Sequence, residues 1–459
     1  MNETQKLKKA TYHLYAFFVS KLVGTLGSTV YTFGISMYVL AMTKSSFYFS
    51  MVMLCGILTS TIVSPIAGVI VDRLNRKLLV IGGQAGFVLT MITLASITIV
   101  HGLSMPAIYI STFFTSTFAA VSGIAFSSSL MNLVDEARLQ KAMSFNSMAA
   151  SIAGIGGPIV GGMLFGFASI EVFLMIFAVT SFIVLCIEST LNYSLYKKEV
   201  ATTSSSNVEQ QAPAKQSMFG SFKEGFAYIK TKPILVALLS TTFGLNFFFV
   251  SLAVGGDFAL VTILEMPTKL IGFTEAASAV GVILASLYFA TRKQAENPLA
   301  LSKNSILVMG TLVGLTAIPL FLNMSLLGNF IFFLLLMFAF GISNVATNMP
   351  IGVLFQTMVE DEFRGRVFGI VQMISMSLMP FAMLIYGLLF DIVPAEYLFI
   401  GSGIALVLLT LYSLNSNVLK MAKEETLKIR AAAATDQQAA AQNEKASSQS
   451  VAIKEAAHA

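Results

Sequence analysis

The chain has 459 residues, 56% of them hydrophobic and only 11% charged, with a mean hydropathy of +0.80. Soluble domains carry about 25% charged residues, so this composition excludes a soluble globular protein and indicates an integral membrane protein. The net charge of +5 is small and gathers in particular loops, so it reports membrane orientation and not nucleic-acid binding. With 38 Phe, 24 Met and no Trp, Tyr is left to supply the interfacial aromatic belt. Cys55 and Cys186 lie in apolar segments at different depths, so no disulfide is expected. Three His in the whole chain cannot assemble a metal site, and no cofactor is expected. The opening MNETQKLKKA runs into a hydrophobic stretch too long for the core of a cleavable signal peptide.

Hydrophobic runs predict an all-α membrane protein of twelve transmembrane helices, at 14–41, 47–71, 78–100, 106–130, 142–168, 172–191, 234–264, 271–291, 305–323, 327–355, 367–390 and 397–414. Each approaches or exceeds the ~20 residues needed to cross a hydrocarbon core. With the N-terminus inside, nearly all of the 28 Lys and Arg fall on one side, in the termini, the central segment and the loops after spans 2, 4, 8 and 10. The exceptions are Lys44 and Lys269 in opposing loops and Lys21 inside span 1. The excess of basic loops marks the cytoplasmic side, and removing one span would invert every later loop. The chain divides into a six-helix bundle (1–191), a linker (192–232), a second bundle (233–417) and a tail (418–459) without an apolar face, read as frayed helix or disorder. Within the linker, Phe219, Phe222, Phe226 and Ile229 recur at helical spacing, predicting an amphipathic helix on the inner membrane surface. Val134, Asp135, Glu136, Lys141 and Gly162 correspond at one constant offset to Val359, Glu360, Asp361, Arg366 and Gly387. That offset makes the bundles a parallel, pseudo-symmetric repeat.

The tight turn between spans 2 and 3 carries Gly68, Asp72, Arg73, Arg76 and Lys77. This pattern resembles the signature between helices 2 and 3 of the major facilitator superfamily. Asn75 stands at the usual second glycine, and Asn tolerates the positive φ such a turn can require. In span 5, Gly157, Pro158, Gly161 and Gly162 are similar to the pattern of the superfamily's efflux branch, although Ala153 and Ser144 replace two glycines of its wider form. The glycines permit close helix approach and Pro158 removes a backbone hydrogen bond; ordinary packing is the plain alternative. The stretches 222–235 and 359–370 resemble members similar to macrolide exporters and the enterobactin exporter. The resemblance covers about residues 12–415. It implies two bundles rocking about a central site, and a cytoplasmic gate, held shut while the outer side is open, in which Asp72 faces a helix N-terminus and Arg73 or Arg76 meets a carboxylate such as Asp135 or Glu136, with Arg364 and Arg366 in the corresponding loop. A solvated orientation signal is the alternative reading of these charges.

Lys21, Thr25, Ser28, Thr32 and Ser36 share one face of span 1. With Asn246, Asn344, Asn348, Gln372 and Ser375 they form uncharged polar positions, Lys21 aside, from both halves. Such groups line a cavity, or bond between helices or to their own backbone. Asp257, after Gly255 and Gly256, is the first candidate for a proton-coupling carboxylate and Glu275 the second; an acidic outer mouth is the alternative. Few buried charges with abundant Phe and Met suit a compliant apolar pocket for a lipophilic small molecule. The expected protein is therefore not an enzyme but a monomeric plasma-membrane exporter, in contact with lipid, with protons as the coupling partner. A siderophore or lysophospholipid mover and a metabolite uptake symporter share the same architecture.

Overall fold

The computed structural model of the protein describes residues 3–193, 195–196, 218–291, 297–322 and 324–428. Among them every regular element is helical, and twelve helices are long: α1 (Glu3–Thr43), α2 (Ser46–Arg73), α3 (Arg76–His101), α4 (Met105–Ser128), α5 (Glu136–Phe167), α6 (Ile170–Ser189), α7 (Pro233–Phe258), α8 (Thr268–Thr291), α9 (Pro298–Leu315), α10 (Leu326–Met358), α11 (Asp361–Ile392) and α12 (Ala395–Ser413). The ends follow local chemistry. Ser45, Asn75, Asn297 and Ser325 cap α2, α3, α9 and α10 by accepting backbone N–H bonds, and proline opens α7 and α9, where its missing N–H costs nothing. Gly102, at φ 76, ends α3.

Ten of these helices hold a stretch long and apolar enough to cross a membrane among the described residues. The other two, α5 and α11, start in charged turns and are richer in small and polar residues. Their position explains this, because both pack against the opposite half and not only against lipid-facing neighbours. Within the first half the close pairs are α1 with α5 and α6, α3 with α4 and α6, and α2 with α4. Each recurs six helices later: α7 with α11 and α12, α9 with α10 and α12, α8 with α10. The halves join through α5 with α8 and its symmetry counterpart α11 with α2. Two pseudo-symmetric six-helix bundles follow directly from this pairing.

Large apolar side chains cover the outside, among them Leu89, Val100 and Phe167, as a lipid-facing surface requires. Ser and Thr on that surface, such as Thr93, Ser96, Thr117 and Thr180, donate to the carbonyl four residues back. That local bond satisfies a hydroxyl without water.

Two expectations need correction here. The helix Met218–Thr231 does not simply lie along a membrane surface but docks on α11: Ile229 is buried with Val367 and Ile370, and Glu224 pairs with Arg366 at 3.2 Å. The side chains of Phe219 and Phe222 lie outside the described set. The tail, expected to lack an apolar face, continues as helix over 416–428. Val418 and Ala422 are buried in the second-half core and Thr426 is buried beside them, one helical turn apart each time. Residues 429–459 lie outside the described residues.

Candidate functional site

Call the end of the bundle carrying the N-terminus, the α2–α3 turn and the 218–231 helix the terminal face. The contacts joining the halves gather at the other end. There α5 crosses α8 so closely that a Cβ on Gly162 would stand 2.8 Å from the Cα of Gly272. Lys269, just before, sits over the Phe167 ring, 3.8 Å from its centroid. The symmetry-related crossing places Gly387 against Ser50, 2.6 Å from Oγ to a Cβ built on the glycine. Gly157 and Gly161 face α1 instead, at Thr29 and Phe33, and the Pro158 side chain is outside the described set.

A carboxylate locks the second crossing. The α1–α2 turn passes through Lys44 at φ 52 and presents Ser45 and Ser46 at the start of α2. Asp391, in the last turn of α11, accepts from Ser46 N at 2.8 Å, Ser46 Oγ at 2.8 Å, Ser45 Oγ, and Phe47 N at 3.4 Å. A residue of one half thus caps a helix of the other, where helix N–H groups and dipole favour an anion. Beneath it Leu40 and Phe49 pack with Val254, Met383 and Phe390 in an apolar plug.

Inward of the plug lie two chambers. One, of about 470 Å³, is lined by α1, α2, α3 and α4 through residues including Ser28, Tyr31, Thr32, Ser60, Phe87 and Thr112. The other, of about 420 Å³, is lined by α7, α9, α10 and α11 and includes Asn246, Phe249, Asn344 and Asn348. Met379 of α11 lines both. Each falls within the ~300–1,000 Å³ of small-molecule sites. Of the expected cavity residues, Ser28, Thr32, Asn246, Asn344 and Asn348 line these chambers; Thr25 lines a third space described below. The side chains of Gln372 and Ser375 are outside the described set. Thr32 donates to the Ser28 carbonyl and Asn348 to that of Asn344, so part of this polarity is spent on its own helices.

Asp257 and Glu275 are half-buried and near enough to interact electrostatically. Glu275 is one turn from Gly272 on the same face of α8, which puts the pair beside the α5–α8 seam. A π-turn, Ala259–Ile263, begins two residues after Asp257; such insertions frequently mark functional stretches of helices.

The gate contacts expected when the terminal face is shut are not made in this conformation, in which the halves join at the opposite end. Asn75 has φ −67 and caps α3 through Lys77 N, so no left-handed turn replaces the absent glycine. Arg76 donates to the Ser128 carbonyl at 2.8 Å. Asp135 does not meet Arg73 or Arg76; it pairs at 2.7 Å with Arg138, three residues on. A partner on the same helix turn needs little chain ordering, and the halves touch at the other end. Arg73 and Lys77 are exposed, and a Cβ on Gly68 would meet nothing within 4 Å. The side chains of Asp72, Glu136 and Arg364 are outside the described set, and Arg366 is occupied by Glu224.

Nearby, Lys232 donates to Glu360 at 2.9 Å, and the Tyr228 hydroxyl donates to the same oxygen at 3.3 Å. The Lys232 ammonium holds the Glu360 carboxyl below its usual range, while the Tyr228 hydroxyl and then Glu360 hold Lys232 above its own. A depressed carboxyl contributes above its unfolded value of about 4.3 and a raised ammonium below about 10.4. The tie therefore holds at neutral pH and is lost as pH falls through the depressed Glu360 value. At pH 7, Glu360→Gln should speed amide exchange across 224–232 severalfold, whereas in strong acid variant and parent should exchange alike. Equal exchange at pH 7 would show the tie to be inert.

Two charged groups here escaped sequence reasoning. Asp391 and Glu188 are each a single acid at the end of an apolar run, the pattern of an ordinary interfacial charge. The one available signal for Asp391 is its place one turn after Gly387, the repeat counterpart of Gly162.

The profile of the Major Facilitator Superfamily matches residues 17–380. The chain is 25% identical over 408 residues to a Bacillus subtilis (strain 168) protein named uncharacterized MFS-type transporter YfiS, covering 87% of this chain and 92% of that one. It is 23% identical over 402 residues to macrolide efflux protein A of Streptococcus pyogenes, covering 86% and 93%. Among solved structures it resembles a bacterial homologue of the iron transporter ferroportin in an inward-facing state, with TM-score 0.65, 15% identity and coverage of 87% and 98%.

Proposed function

Because the chain belongs to the Major Facilitator Superfamily, we propose that it is a plasma-membrane exporter of lipophilic, drug-like compounds that works by alternating access and proton antiport. The terminal face is cytosolic in this reading, following the basic loops. The observation that carries it is the seal: both inter-half crossings and the Asp391 cap lie at one end, over two chambers that share Met379. That is the arrangement of a carrier shut on the outside. Chambers lined mainly by apolar, aromatic and hydroxyl groups suit a lipophilic substrate, and the macrolide efflux relative points the same way.

Asp257 and Glu275 are the coupling pair in this reading. Two carboxylates close together in a poorly solvated seam repel, and one proton between them relieves the repulsion. A proton taken up from outside then favours the closed seam, and for antiport it leaves to the cytosol through the inward-facing chambers before the seam reopens. Reconstituted protein should move macrolides or lipophilic cationic dyes faster under an imposed pH gradient. Asp257→Asn should remove most of that acceleration, as loss of an intramembrane coupling acid would. Gradient-driven transport at full rate in this variant would remove Asp257 from the mechanism, and failure of the whole panel would exclude this substrate class.

A further inference from the structure

One buried acid has no part in the scheme above. Glu188, at the end of α6, is only 5% exposed. Its Oε1 accepts from Ser20 Oγ at 2.8 Å, while its Oε2 has no hydrogen-bond partner. Both Glu188 and Lys21 line a separate space of about 200 Å³, with Thr25 and Ser28 of α1, Gln84 of α3 and Ser122 of α4. Lys21 acts on Glu188 through space, with no direct ion pair between them within 4.0 Å among the described contacts. Tyr193 completes the surroundings by donating from its hydroxyl to the Glu188 carbonyl at 3.3 Å. The lining residues from α3 and α4 are uncharged.

We propose that Glu188 is a proton-binding site of the first half, with Lys21 as its counter-charge and Ser20 as its positioning residue, distinct from Asp257 and Glu275. An ionised carboxylate with one oxygen unsatisfied inside a bundle carries a heavy desolvation cost, and the ammonium across the space offsets part of it. On loading, a proton forms an O–H bond at Oε2, and the pair passes from net zero to net positive on Lys21. An unmatched ammonium is poorly tolerated in a dry space, so loading favours hydration of this chamber. The site joins α1 to α6 and borders Ser28, which also lines the substrate chamber. Occupancy of the two can therefore be linked through α1.

The proposal concerns protonation and stands apart from substrate and direction of transport. Its test is infrared difference spectroscopy of the full chain in liposomes, stepping pH without substrate. The carboxylic C=O band that appears on acidification should lose one component in Glu188→Gln and a different one in Asp257→Asn. Lys21→Met should move the midpoint of the Glu188 component to higher pH by about one unit or more. Ser20→Ala, which keeps both charges, should shift the frequency of that same component; it also serves if Glu188→Gln fails to fold. Spectra of Ser20→Ala and Lys21→Met identical to the parent would overturn the assignment, as would a Glu188→Gln spectrum that loses nothing.

Discussion

Replacing Gly162 by valine is expected to force open the end opposite the terminal face. The added Cβ would stand 2.8 Å from the Gly272 Cα and 3.2 Å from its nitrogen. Both are backbone atoms of a packed helix, which cannot swing aside as a side-chain tip would. Overpacking of this kind costs about 1–3 kcal/mol, here charged only to the state in which α5 and α8 touch. Each 1.4 kcal/mol is a factor of ten, so the closed state should lose roughly 5- to 150-fold in population. Spin labels at Ser104 and Leu327, in a background lacking the free thiols of Cys55 and Cys186, report it across the two halves. A longer inter-half distance should become dominant in the variant. An unchanged distance distribution would mean that the crossing is not part of the moving seam.

Asp391→Ala should act at the symmetry-related crossing and in the same direction. It removes the acceptor of two backbone N–H groups and two hydroxyls at the start of α2. Loss of a helix cap costs about 0.5–2 kcal/mol, and loss of an anion at a helix N-terminus about 0.3–1 more. Together these predict a loss of closed-state population of about 4- to 150-fold, with Asp391→Asn between variant and parent because it keeps an acceptor without the charge. A cysteine at Met53, which packs against the plug, should become reactive to an impermeant maleimide added outside. A double-mutant cycle with Ser46→Ala should be non-additive, since the Ser46 hydroxyl gives one of the bonds to Asp391 while its backbone N–H is kept. Additive effects would mean the two residues do not act as one latch.

These two variants are informative because neither Asp391 nor the Gly162–Gly272 contact is a chemically unusual feature of the chain. Gly162 stood out through its motif, yet the spacing of that motif does not say that Gly157 and Gly161 face α1 while Gly162 alone reaches the other half. Arg76 and Asp135 show the opposite case. Their types suit them as gate partners when the terminal face is shut, but in this conformation Ser128 and Arg138 take them instead. The docked face of the 416–428 helix was missed because it is small, chiefly Val418, Leu419 and Ala422, in a stretch otherwise dominated by Lys, Glu and Asn.

What the sequence alone determined was the set of twelve helices, most of their ends and the repeat that pairs the halves. Those depend on signals carried locally: apolar length against bilayer thickness, a capping Ser or Asn, a proline at a first turn. Only the tertiary structure decided which acid is a latch, which is buried beside Lys21 and which two sit together at the seam. Asp391, Glu188, Asp257 and Glu275 are much alike as residues in apolar runs. Their roles come from the rotation of each helix and from contacts spanning up to 346 residues of chain, which hydropathy and helical period do not encode.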